Sequence, residues 1–125
     1  MKQGNYFAVF GSFGDQCWPI PGEPNIRGNC DGLTVCEMDS QTGEVKIISQ
    51  SHGVESPGTL VVSPDERFIY AANEGRDFQG IGYGGGATAF TFDPETGKTE
   101  VINDSLSFGS SACCITLTKP ASTCW

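Results

Sequence analysis

An all-β chain is predicted by three features of the sequence. Gly and Pro make up 24 of the 125 residues. Between them recur short runs rich in β-branched, aromatic and alternating apolar residues, and no stretch repeats its apolar positions with a convincing helical period. The first expected strand, Tyr6–Gly11, is an apolar run closed by a glycine. Leu33–Met38 and Val45–Gln50 follow, separated by Asp39-Ser-Gln-Thr-Gly43, whose Asp and Gly suit a tight turn. Thr59–Val62 and Phe68–Ala72 flank Ser63-Pro-Asp-Glu-Arg67, where Pro64 presets φ and Asp65 can bond its own backbone. Thr88–Phe92 and Thr99–Ile102 flank Asp93-Pro-Glu-Thr-Gly-Lys98, in which Gly97 is free to take positive φ. Cys114–Thr118 is the last expected strand.

The strands are organised by a repeat. GLTVCEMDSQTGEVKIIS from Gly32 lies over GATAFTFDPETGKTEVIN from Gly86 without a gap. After each copy comes a serine and another strand, ESPGTLVVSPDERFIY after the first and SSACCITLT after the second. Four strands recurring at this spacing are the pattern of propeller blades. A blade buries its faces only against neighbouring blades, so one and a half blades do not close a core.

Composition narrows the function classes. Fifteen acidic against seven basic residues give a net charge of −8, which leaves no basic stripe to release counterions from nucleic acid or to meet an anionic membrane. The N-terminus carries no apolar run that would serve as a secretion signal, and no stretch approaches a membrane span, so a cytoplasmic chain is expected. The six cysteines form no CxxC pair and there is one histidine, so neither a disulfide framework nor a metal site is expected. Cys36, Cys113 and Cys114 read as small buried hydrophobes in a reducing compartment. His52 reads as a connector between blades, and Arg67 as a solvated turn charge. Gly80-Ile-Gly-Tyr-Gly-Gly85 formally matches GxGxxG, but a strand follows it where a dinucleotide site needs a helix. That segment, with Phe78 and Tyr83, and the Pro-rich segment around Trp18 and Arg27 each join a second strand to a third. On a propeller both loops therefore emerge on one face, and they are rim candidates if that face bears the active site.

SPGTLVVSPDERFIYAANEG, GGGATAFTFDPETGKTEVIN and GNYFAVFGSFG resemble the seven-bladed β-propeller lactonases, the family of 6-phosphogluconolactonases of the cycloisomerase type and of carboxymuconate lactonizing enzymes. The resemblance runs to Thr118. It implies three strands of a first blade (about 4–52), all of a second (about 56–106) and the inner strand of a third (about 110–118). On this reading the chain is an N-terminal piece of a larger ring. The expected continuation after that strand is a turn such as x-G-[KR]-Y-L-L-V, and Lys119–Trp125 reads as that turn one base out of frame. With suitable codons, one restored base gives Lys-Thr-Gly-Lys-Tyr-Leu-Leu.

The function implied is hydrolysis of a sugar-acid lactone such as 6-phosphogluconolactone, without cofactor or metal. The alternatives are a muconate-type lactonizing cycloisomerase and a non-catalytic propeller scaffold, and no activity is expected of these 125 residues alone. Lactone hydrolysis needs a base to activate water and donors for the oxyanion, and a phosphorylated substrate calls for a cation. The resemblance places Asn73 and Glu74 on the family's NE pair at a strand end. Glu74 is accordingly the candidate base, with Asn73 and Arg76 as candidate substrate contacts. Cys114 stands where the family often has the histidine of PCH, and is the fourth candidate. A cysteine of ordinary pKa is neither the same base nor the same donor.

Overall fold

The computed structural model describes residues 4–12, 32–75, 84–109 and 111–118. Trp18, Arg27, Arg76, Phe78, Tyr83 and the 119–125 tail lie outside them. Seven strands and no helix occur among the described residues, and none of these residues forms a helix that could cross a membrane. The strands are β1 (Asn5–Gly11), β2 (Leu33–Asp39), β3 (Val45–Gln50), β4 (Pro57–Val62), β5 (Phe68–Asn73), β6 (Gly86–Phe92) and β7 (Thr99–Leu106). They form two antiparallel meanders, β1-β2-β3 and β4-β5-β6-β7. This is an all-β piece of a β-propeller, three strands of one blade and four of the next.

The sequence repeat is a structural repeat down to its irregularities. Asp39 Oδ1 accepts hydrogen bonds from the Gln41 and Thr42 amides, and Gly43 N–H donates to Asp39 O at 2.8 Å. In the second copy Asp93 Oδ1 accepts from Glu95 N–H, Oδ2 from the Thr96 hydroxyl, and Gly97 N–H donates to Asp93 O at 2.8 Å. The Thr96 hydroxyl and these amides hold the Asp93 carboxyl below the usual carboxylate range. The register shifts between Val35 and Cys36 in one sheet and between Ala89 and Phe90 in the other, the same place in each copy. A bulge bends and twists its strand, so both blades carry the same curvature there.

The core lies between the sheets. Leu33, Val54, Ile69, Ala71 and Phe90 are buried, with Val9, Leu60 and Phe92 packed against them. Each of the larger side chains contributes roughly 2–3 kcal/mol on burial. Phe7 of β1 meets Phe92 edge to face, ring centroids 5.7 Å apart. Polar bonds flank the rings: Ser49 Oγ donates to Gly97 O at 2.9 Å, and the Ser51 and Thr99 hydroxyls lie 2.9 Å apart. Gly97 closes the seam, because its φ is +71° and a Cβ there would stand 2.8 Å from the Phe7 ring.

Two expectations are corrected. Residues 112–118 form no strand, so the expected inner strand Cys114–Thr118 is an unladdered segment along the second sheet. No described strand offers it a row of backbone partners, and its bonds are isolated ones, such as the Thr59 hydroxyl to Cys113 O. For the same reason Cys113 and Cys114 are exposed, while Cys36 alone of the three is buried. β4 and β7 extend beyond their expected ends, starting at Pro57 and running to Leu106. Proline fits a first strand position because it need not donate to the ladder. Arg67 and His52 are exposed, as expected.

Gly43 also has positive φ, +73°, but open space around it. Gly43→Ala should therefore cost only the backbone term, about 1 kcal/mol. Gly97→Ala, which adds the collision with Phe7, should cost about 3 kcal/mol. Urea unfolding of the two variants checks the difference, and equal losses would remove the seam contact from the account.

Candidate functional site

The strands set two opposite ends. At one lie the Asp39–Gly43, Ser63–Arg67 and Asp93–Lys98 turns. At the other β1 ends, β2 begins, β5 ends and β6 begins, so the anchors of both long loops meet there. Gly11 lies directly against the Pro57 carbonyl, which brings the first loop's anchor to the start of β4. Glu74 follows β5 at this same end.

Glu74 is held from three sides. Its N–H donates to Ser56 O at 2.9 Å, which extends the β4–β5 pairing by one step. Its carboxylate lies over the bare backbone of Gly58, where an added Cβ would stand 3.5 Å from Oε2. The Cys113 thiol, which also faces Ser111 O at 3.0 Å, lies 3.6 Å from Glu74 Oε1. Loss of hydration, and then the Glu74 charge, push the Cys113 thiol above its usual pKa. Both effects favour the protonated thiol, the form that can donate to Glu74. Glu74 itself is half-buried and open to a reactant.

Asn73 has a different place. Its side chain is fully buried; Nδ2 donates to Glu55 O at 2.6 Å and Oδ1 accepts from the Thr88 hydroxyl at 2.9 Å. The amide ties the connection into β4 to both β5 and β6, directly behind Glu74. Glu55 packs its carboxylate on Gly75, where a Cβ would be 2.7 Å from Oε1. Ser111 N–H donates to Gly75 O at 3.2 Å and brings the Cys113 segment to the same end.

Of the four residues named from the sequence, the structure places Glu74 at the loop-bearing end, buries Asn73 beneath it and exposes Cys114 one residue beyond the thiol that faces Glu74. Arg76 lies outside the described residues. Cys113, Thr88, Glu55 and Ser56 were not singled out for the site. The serine preceding β4 was visible as part of the repeat, whereas Thr88 carried no signal beyond its strand. No group of three or more potential metal ligands occurs among the described residues. Cavities among the described residues away from Glu74 include one of about 290 Å³ beside Phe7, Val62 and Phe92 and one of about 470 Å³ between Phe68, Tyr70 and Leu117. A carboxylate with a thiol donor at one oxygen, on a half-open strand end, can take a proton from water.

Comparisons with known proteins agree with this architecture. The family model "Lactonase, 7-bladed beta-propeller" matches residues 15–123. No curated protein sequence matches the chain. Among solved structures, a candidate 6-phosphogluconolactonase from Bacteroides fragilis superposes with a TM-score of 0.72 at 24% identity, over 92% of this chain and 27% of its own. A second, from Bacteroides uniformis, gives 0.68 at 22% identity over 89% and 27%. A periplasmic gluconolactonase from Pseudomonas aeruginosa gives 0.67 at 23% identity over 86% and 26%. The chain thus spans about a quarter of the length of the solved structures it matches.

Asn73→Ala would remove both amide bonds, the one to the Glu55 carbonyl and the one from the Thr88 hydroxyl. A loss of about 2–3 kcal/mol is expected, larger than that of Thr88→Val, which removes one bond of the pair. Thermal unfolding of both variants checks the order; a neutral Asn73→Ala would remove the brace.

Proposed function

Because the chain belongs to the seven-bladed β-propeller lactonase family, we propose that it is part of a lactone hydrolase in which Glu74 activates the attacking water. The observation that carries this reading is Glu74 at the loop-bearing end, half-open and held by Ser56 O, Gly58 and Cys113. In the proposed reaction Glu74 takes a proton from water as the oxygen attacks the lactone carbonyl. The tetrahedral oxyanion then expels the ring oxygen, which takes up the proton and becomes the hydroxyl of the open acid. Asn73 braces the connection behind the base.

The substrate proposed is a sugar-acid lactone, with a phosphorylated gluconolactone first. Support comes from what the solved relatives are said to be, and from Arg76, two residues beyond Glu74 and suited to an anionic group. Cys114, exposed beside Cys113, is proposed to contact the substrate. The cytoplasm is the compartment proposed; Cys36, Cys113 and Cys114 being free thiols supports it. We further propose the division into a first blade (about 4–52), a second (about 56–106) and the start of a third (about 110–118). The 125 residues alone are proposed to be inactive, because a site at the mouth of a ring draws on several blades.

The test uses the full-length enzyme carrying this sequence, assayed on sugar lactones with and without phosphate and on a muconolactone. Glu74→Gln should lower kcat about 100-fold with little change in KM. Unchanged turnover would remove Glu74 from the mechanism, and wild-type activity confined to the muconolactone would replace the substrate class.

A further inference from the structure

Four non-glycine residues among the described ones have positive φ: Ser56, Glu66, Phe108 and Ser111. Glu66 and Phe108 are exposed and Ser111 half-buried; Ser56 alone is buried, 1% exposed, with φ of 39°. That conformation is unfavourable for a residue with a Cβ, and doubly so before a proline, which favours extended backbone at the preceding position. The Ser56 hydroxyl is buried as well and makes no hydrogen bond. Ser56 therefore lowers stability in two ways, through its backbone and through its unpaired hydroxyl.

Strain of this kind persists only where its surroundings over-determine it. Here the constraints come from either side. Asn73 Nδ2 grips the carbonyl of Glu55 before it, and Pro57 after it is paired with Asn73 in the β4–β5 ladder. Between these points the Ser56 carbonyl is turned onto the N–H of Glu74. The strained residue and the candidate base share a hydrogen bond.

We propose that Ser56 is a positioning residue for Glu74, a backbone wedge that fixes the carboxylate against Cys113 and Gly58 at a cost in stability. The role in turnover rests on Glu74 being the base, but the coupling of Ser56 to Glu74 does not. Glycine at this position accepts positive φ and carries no hydroxyl, so it relieves both costs; it also leaves the backbone free to leave that conformation, and the hold on Glu74 slackens.

The experiment compares Ser56→Gly and Ser56→Ala with wild type. Ser56→Gly should raise Tm by a few degrees. In the same variant Cys113, losing its carboxylate neighbour, should react with iodoacetamide about threefold faster at pH 8, followed site by site by peptide mass spectrometry. Ser56→Ala keeps the Cβ and its restriction, and should leave the Cys113 rate at the wild-type value. In the full-length enzyme Ser56→Gly should lower kcat about tenfold while KM moves less. An unchanged Cys113 rate in Ser56→Gly would overturn the proposal, as would an equal rise in Ser56→Ala, which would assign the effect to the hydroxyl. A wild-type enzyme without lactone turnover would defeat the functional reading and leave the thiol comparison as the test of the wedge.

Discussion

The Phe7 ring lies between Phe92 and the bare backbone of Gly97, and the rest of the structure depends on that contact. A three- or four-stranded meander has one face to bury and cannot bury it alone. The seam supplies the missing surface: it seats the first sheet on the second, with Leu33, Ile69 and Phe90 enclosed between them. The edge-to-face pair adds about 0.5–1.5 kcal/mol beyond the area it buries. Its larger effect is geometric. Ser49 and Ser51 reach the Gly97 carbonyl and the Thr99 hydroxyl across the same seam, so polar and apolar contacts together specify one docking of the sheets.

Glu74 inherits its position from that docking. With the sheets in register, the end of β1 meets the start of β4, and the connection through Glu55 and Ser56 is drawn beneath the end of β5. Asn73 then locks the connection with its two amide bonds, and Ser56 turns its carbonyl to the Glu74 N–H. Behind the carboxylate stand backbone groups and the buried Asn73 amide with its Thr88 hydroxyl partner, while at its front are the Cys113 thiol and the open surface. A rigid back and an open front are what a base that must meet water requires.

Much of the fold was legible because the repeat fixes topology and local geometry together. Asp39 and Asp93 announce the same turn, and copies without gaps imply the same bulge and strand order. The resemblance carried by the NE pair pointed to Glu74. What could not be read is what depends on partners distant in sequence. Asn73 looks like a neighbour of Glu74 in a substrate pocket, yet its amide is consumed by Glu55 and Thr88, and no local pattern marks those two. Cys114 was preferred to Cys113 by its match to a histidine position, but which of two adjacent thiols faces Glu74 is decided by the path of residues 111–118. That segment also failed as a strand, since alternation shows which faces a strand would have and not whether a ladder is available to it.

Peptide-resolved hydrogen exchange on the 125-residue chain tests the central claim most directly, namely that the two sheets form one cooperative unit through the Phe7 seam. The amides of β2 and β6 should open with similar free energies, and Phe7→Ala should lower the protection of both together. If Phe7→Ala released β2 while β6 kept its wild-type protection, the sheets would be independent units, and the positioning of Glu74 by their docking would be contradicted.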